Sequence, residues 1–375
     1  MIPAERFLDA LQARSYRFFT GVPCSYLGGV ITELGPRYLP AANEGTALAM
    51  AASASLAGAP AVVLLQNSGL GNLINPLTSL AIPYRIPVLM VVSMRGWPDP
   101  ESDEVQHSVM GPATPRILEA CSVEYRVLDP DPARLDDVLG ELAPALEKGP
   151  AALLVPRKAI ADAPRIPADT PVSADPPFTT ADAVNALAKH LHRYSVFSTT
   201  GYISRHLFAA RDLPTNFYMQ GAMGHAMAMG AAAAATTDRR VLVLDGDGAA
   251  VMHMGGLAMI GAMRPPNLVH VIIDNNAYES TGSQASLSGR LDWKQLGLAT
   301  GYRTAHVCRS AEEAERTLVE VEDTAGPHLL VISVGVDTKQ APPRATGTLT
   351  APRIADRVRD AFSREHGAAD DGPGV

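Results

Sequence analysis

Cysteine is scarce: Cys24, Cys121 and Cys308 are the three in 375 residues, and no C-x-x-C pair occurs. That excludes a disulfide framework and a cysteine-based structural zinc site, and it fits a reducing cytoplasm. Runs of a single charge are missing as well. Lys plus Arg number 31 against 39 Asp plus Glu, a net charge of −8, and the basic residues never cluster into the surface that a general nucleic-acid binder needs. No uninterrupted apolar stretch reaches ~18 residues, so no membrane span is expected. The amino terminus MIPAERFLDALQARSYRFF spreads charges through an amphipathic helical pattern and lacks the apolar core of a secretory signal. The 31 glycines and 30 prolines follow no period, and 47% of residues are hydrophobic, which excludes collagen-like and disordered classes.

What the sequence has instead is alternation. A helical pattern over residues 4–13 leads to a strand-like segment at 16–20 and the turn Gly21-Val22-Pro23-Cys24-Ser25. Apolar runs at 61–65, 87–93, 125–128 and 151–155, separated by helical stretches, give the rhythm of a parallel sheet covered on both faces. Residues 1–160 therefore read as one α/β unit. The proline-rich, aperiodic stretch 161–178 reads as an extended linker. A second α/β unit follows at 179–366, with strands expected at 195–199, 216–219, 241–245, 268–274 and 328–334. The last residues, 367–375, read as a disordered tail.

Two expected helices, 45–58 (GTALAMAASASLAG) and 221–235 (GAMGHAMAMGAAAAA), carry no Asp, Glu, Lys or Arg. A sheet covers one side of a helix, so a second uncharged face predicts packing against the other unit or another copy. A homo-oligomer, at least a dimer, is expected.

Chemistry concentrates at two strand ends. Asp245-Gly246-Asp247-Gly248 follows the run Val-Leu-Val-Leu, and Asn275-Asn276 closes the next apolar run after 26 intervening residues. Ligand crevices of open α/β sheets form at such carboxyl ends. Glycines let backbone approach a phosphate, while a carboxylate and an amide oxygen are hard ligands for a divalent cation. A diphosphate with Mg²⁺ meets both conditions.

GDG followed at this distance by NN resembles the thiamine-diphosphate enzyme superfamily. The resemblance implies two doubly wound parallel-sheet domains: an aminopyrimidine-binding domain at 1–160 and a diphosphate-binding domain at 179–366. The linker is too short for the third, central domain of many relatives. It also implies thiamine diphosphate and Mg²⁺ as cofactors. Asp247, the Asn276 side chain and the Tyr278 carbonyl would hold the metal, with Gly246, Gly248 and Ala249 cradling the diphosphate at a helix start. Met223 occupies the position of the apolar residue that props the bent cofactor. Glu44, in Asn43-Glu44-Gly45 before a small-residue helix, corresponds to the carboxylate that hydrogen-bonds N1′ of the aminopyrimidine and activates the cofactor. In this superfamily the cofactor lies between the two domain types of neighbouring subunits, so Glu44 and Asp247 are expected to meet across a dimer interface.

The remaining motifs, GVPCSYL, NEG, QNSGLGNLINPLTSL, MRG, DEVQH, TGYISRHLF and FYMQGAMGHA, resemble the phosphonopyruvate decarboxylase family from about residue 18 to 335. Sulfopyruvate decarboxylases share much of this pattern. The implied reaction is decarboxylation of the 2-oxo acid 3-phosphonopyruvate to phosphonoacetaldehyde in phosphonate natural-product biosynthesis. The alternatives are sulfopyruvate decarboxylation, a carboligase that captures an aldehyde, and a non-catalytic nucleotide-binding regulator. His107 is the expected proton carrier. Ser25 and Asn67 are expected to hold the substrate carboxylate. A phosphonate needs a cation, and of Arg95, Arg205, Lys339 and Arg344 the first is favoured because it lies between a strand end and His107. Nothing local lowers the pKa of Cys24, so it is not expected to be a nucleophile.

Overall fold

Aliphatic runs bounded by turn residues become strands where both faces of the run can be covered. The structure, a computed structural model, describes residues 1–161, 178–337 and 341–370, the last seven of these as backbone only. It divides into one unit of residues 1–161 with Thr281–Gln284 and a second of 178–280 with 285 onward. The expected linker falls, apart from its ends, outside the described residues.

The first unit holds β1 (Phe18–Gly21), β2 (Tyr38–Pro40), β3 (Ala61–Gln66), β4 (Val88–Ser93), β5 (Tyr125–Val127) and β6 (Ala151–Val155). They form one parallel sheet in the order β2-β1-β3-β4-β6-β5. Period-2 alternation splits its core in two. Val62, Leu64, Leu89 and Val91 face one apolar cluster, while Val63, Leu65, Val88 and Met90 face the other. Both faces are buried, as the continuous apolar runs require.

The second unit holds β7 (Ser195–Ser198), β8 (Asn216–Tyr218), β9 (Val241–Gly246), β10 (Leu268–Asp274), β11 (Ala277–Tyr278), β13 (Thr304–Cys308) and β14 (His328–Ser333), and β12 (Gln284–Ala285) falls on the boundary of the segment Thr281–Gln284. Its parallel sheet runs β13-β14-β10-β9-β7-β8, and β11 with β12 makes a separate two-stranded ladder. Read from β8, this order repeats that of the first sheet. In each unit the chain reverses direction across the sheet beside the first strand, between β1 and β3 and between β7 and β9. Crevices open at such switch points.

The structure corrects several expectations. The edge strands β2 and β13 and the short ladder were not anticipated. The helix expected at 221–235 begins at Ala226. Residues before it form a turn, with Ala222 at φ 49° and Gly224 at φ 86°. A Cβ on Gly224 would lie 2.8 Å from the Ala249 carbonyl oxygen, so glycine lets this turn press against the segment after β9. The last helix, Ala351–Asp370, runs into the expected tail, of which 371–375 lie outside the described residues. Among the described residues no helix is long and apolar enough to cross a membrane.

Candidate active site

In the second unit, β9 delivers Asp245-Gly246-Asp247-Gly248 from a fully buried strand straight into the helix Asp247–Met252. The first backbone N–H groups of that helix, Gly248 and Ala249 among them, have no intrahelical acceptor. A Cβ on Gly248 would come within 2.5 Å of the Tyr278 ring, so glycine here lets Tyr278 lie across the turn. Asp247 is buried and accepts a short hydrogen bond from the Ser286 hydroxyl. Burial, and secondarily the nearby charge of Asp274, pushes the Asp247 carboxyl well above the usual carboxylate range despite that bond.

The two asparagines after β10 do different work. Asn275 braces its own loop, donating to Glu279 Oε2 at 2.8 Å and accepting from the Ala277 N–H at 3.0 Å. Asn276 takes a left-handed backbone at φ 56°, a conformation asparagine tolerates better than most residues. Its N–H donates to Asp274 Oδ1 and its carbonyl accepts from the Ser286 N–H, but its side-chain Oδ1 is buried with no hydrogen-bond partner among the described residues. An orphaned amide oxygen and a carboxylate strained by burial are both short of positive charge, which a hard divalent cation would supply. Among the described residues no three His, Cys, Asp or Glu side chains are grouped to hold a metal. A cation here would complete its shell with neutral oxygens and with oxygens of a bound diphosphate. The Gly246–Ala249 turn, Asn275, Tyr278 and Met223 line one open cleft.

In the first unit, loops after β1, β2, β3 and β4 gather their polar side chains at the carboxyl ends. Asn43 caps the helix Glu44–Leu56 by accepting from the Thr46 N–H at 2.9 Å. Glu44, first in that helix, is 5% exposed, and its Oε2 accepts from the Asn72 amide at 2.8 Å. A Cβ on Gly69 would lie 2.0 Å from Glu44 Oε1, so the glycine is what leaves space for the carboxyl. Burial raises the Glu44 pKa, and the Asn72 hydrogen bond opposes the rise. Cys24 is buried beside Ser93, and burial pushes its thiol up to about 11. It is not a thiolate at neutral pH.

Residues 198–332 match the family described as "Thiamine pyrophosphate enzyme, C-terminal TPP binding domain". A phosphonopyruvate decarboxylase of Streptomyces viridochromogenes is 37% identical over 353 residues, 89% of each chain. Another, of Streptomyces hygroscopicus, is 39% identical over 354 residues, 89% of this chain and 88% of its own. The chain belongs to the phosphonopyruvate decarboxylase family. A sulfopyruvate decarboxylase of Methanosarcina acetivorans is more distant, 25% identical over 355 residues, 88% of this chain and 91% of its own. As a family member the chain is a thiamine-diphosphate-dependent decarboxylase.

Within this family frame the sequence-named residues fall into two groups. Asp247, Gly246, Gly248, Ala249, Met223 and Tyr278 share the cleft of the second unit. Glu44 and Ser25 stand at strand ends of the first, with Ser25 partly exposed at the start of the turn after β1. Two residues differ from expectation. Asn67 is 0% exposed, and both ends of its amide bond the Arg95 backbone, donating to O at 2.8 Å and accepting from N–H at 3.2 Å. Its hydrogen bonds fix the chain at the end of β4 and leave no surface for a substrate carboxylate. Arg95 is already paired: Nε and Nη2 donate to Asp103 at 2.7 and 2.5 Å, and Glu104 lies 3.6 Å away. His107 is buried in the short helical turn Val105–His107. Of the other cations, Arg205 lies over the Tyr202 ring and Lys339 is outside the described residues. Arg344 precedes a short helical turn, Ala345–Gly347. Sequence reasoning missed Asn72, Gly69, Ser286 and Asp103. The first two lie in NSGLGN, so the motif was visible although its contacts with Glu44 were not.

Proposed function

We propose that this chain decarboxylates 3-phosphonopyruvate to phosphonoacetaldehyde and CO₂, with thiamine diphosphate and Mg²⁺, as a homo-oligomer of at least two copies. The observation that carries this reading is the buried Glu44 carboxyl, held by Asn72 in a space that Gly69 leaves open. When bound, thiamine diphosphate supplies the carbon nucleophile and the electron sink for loss of CO₂. Glu44 holds the proton at N1′ of the aminopyrimidine. Asp247, Asn276 and the Tyr278 carbonyl would hold Mg²⁺, and the N–H groups of Gly248 and Ala249 would donate to diphosphate oxygens. Met223 gives the cofactor an apolar support. His107 moves the proton that the product requires, and Ser25 contacts the substrate.

The oligomer is supported by uncharged helix faces. In the helix Glu44–Leu56, Ala47, Leu48, Ala51 and Ala52 are buried within the unit, while Thr46, Ala49 and Ser53 are exposed on the other side. In the helix Ala226–Thr236, Ala232 and Ala235 are likewise exposed. In this reading, Glu44 of one copy and Asp247 of another complete one site. Chemically, irreversible loss of CO₂ draws forward an unfavourable C–P bond-forming step, which suits phosphonate natural-product biosynthesis.

The test is CO₂ release from phosphonopyruvate, sulfopyruvate and pyruvate, omitting thiamine diphosphate and Mg²⁺ in turn. A phosphonopyruvate preference that vanishes without the cofactor upholds the reading. A sulfopyruvate preference overturns the substrate, and capture of an added aldehyde without free product points to a carboligase.

A further inference from the structure

The loop that leaves β4 carries His107, and its shape depends on one carboxylate that nothing above assigns to the reaction. At its root, Asn67 pins the backbone of Arg95 from both sides. One residue on, the Gly96 N–H donates to Asp103 Oδ2 at 2.9 Å, beside the bidentate grip of Arg95 on the same carboxylate. Asp103 also accepts from the Glu104 N–H at 2.8 Å, and the Glu104 carbonyl accepts from the His107 N–H at 2.8 Å. His107 thus stands one tight turn beyond the clamp. Its carbonyl rests on Gly96, where a Cβ would approach it to 2.3 Å, and Gly111 presses on Gly96 from the following helix, where a Cβ would lie 1.7 Å from the Gly96 carbonyl oxygen. The guanidinium lies over the Tyr26 ring, so the loop after β1 joins the same seam. The side chains of Arg95 and Asp103 are 17% and 9% exposed. Two carboxylates face one guanidinium here, so a doubly negative phosphonate would meet no net attraction.

We infer that Asp103, acting through Arg95 and Gly96, is a positioning residue that fixes His107 for the reaction, and that Arg95 is not the phosphonate anchor. The inference rests on the reading of His107 as proton carrier.

The experiment compares Asp103→Asn, Arg95→Lys, His107→Gln and the double variant Asp103→Asn/His107→Gln in the full chain with thiamine diphosphate, Mg²⁺ and phosphonopyruvate. Asp103→Asn should lower kcat on the order of 10- to 100-fold, as a misplaced catalytic group does, with KM little changed. Arg95→Lys keeps the charge but loses the fork, and should lower kcat in the same direction. The double variant should be no slower than His107→Gln, because the two changes act on one group. Without cofactor, amide hydrogen exchange over residues 95–110 should quicken in Asp103→Asn and Arg95→Lys. If Asp103→Asn does not fold, Arg95→Lys carries the test. A KM raised by Arg95→Lys at unchanged kcat restores Arg95 as anchor and overturns the inference. Full kcat in Asp103→Asn with a slow His107→Gln overturns it alone, whereas full kcat in His107→Gln removes the proton-carrier reading and the inference together.

Discussion

The Asn72 amide donates a 2.8 Å hydrogen bond to the carboxyl of Glu44, 28 residues away in sequence, and joins the helix Glu44–Leu56 to the helix Leu70–Pro76 that follows β3. That bond orients the carboxyl while leaving Oε1 against Gly69. Burial raises the pKa of this carboxyl against the opposing Asn72 bond, which suits a group that must hold a proton.

Glu44→Gln separates stability from catalysis. Burial raises the Glu44 pKa in the folded chain. The associated stability is therefore complete below the unfolded carboxyl value of ~4.3 and is lost as pH rises through the raised folded value. Glutamine has no charge to desolvate and keeps an oxygen for Asn72. Without cofactor, the variant should melt above the wild type at neutral pH, with the gap closing towards pH 4. Its decarboxylation should fall by about 100-fold or more. A variant no more stable at pH 8 than the wild type would contradict this account.

Gly69→Ala tests the space beside that carboxyl. The added Cβ would stand 2.0 Å from Glu44 Oε1 and 2.3 Å from its carboxyl carbon, and the glycine itself is buried. The expected cost is ~1–3 kcal/mol of stability from overpacking. The displaced carboxyl should lose most activity, whereas Gly71→Ala, which meets nothing within 4 Å, should fold normally. Thermal melts and CO₂ release on both variants decide it.

Much of this arrangement was legible in the sequence, and the gaps have physical causes. Residues 61–65 and 268–274 read as strands because continuous aliphatic runs have few other places to go. β2 and β13 did not, because Tyr38-Leu39-Pro40 and Thr-Ala-His-Val-Cys are short and partly exposed, with little apolar signal. GDG and NN were readable because their chemistry is local to two strand ends. The pairing of Arg95 with Asp103 was not, since it exists only once the loop has folded back on itself. Met223 was placed in a helix on composition, but Ala222 and Gly224 both adopt positive φ, and the close approach to Ala249 that explains this is tertiary.

Asn276→Gly probes the orphaned oxygen. Glycine accommodates φ 56° without strain and keeps the backbone bonds to Asp274 and Ser286. Removing a buried, unpartnered Oδ1 should leave the cofactor-free protein as stable as the wild type or more so. In the wild type, thiamine diphosphate with Mg²⁺ at ~100 times its dissociation constant should add ~2.7 kcal/mol of stability. The variant should lose most of that gain. A cofactor-induced shift in Tm equal to the wild type's would exclude Asn276 from the metal shell.

Subunit sharing of the site can be tested by mixing two dead variants. Glu44→Gln removes the acid of the first unit, and Asp247→Asn removes the carboxylate of the second. If each site combines the first unit of one copy with the second unit of its neighbour, a mixed dimer has one site carrying both lesions and one carrying none. Random reassembly of equal amounts makes half the dimers mixed, so the mixture should regain about a quarter of wild-type activity. If each chain completes its own site, every site retains a lesion and mixing restores nothing. Ala49→Glu adds a direct check, because it places a charge on the exposed uncharged face of the helix Glu44–Leu56. Mass by light scattering should fall together with activity in that variant, and a fully active monomer would show the site to be complete within one chain.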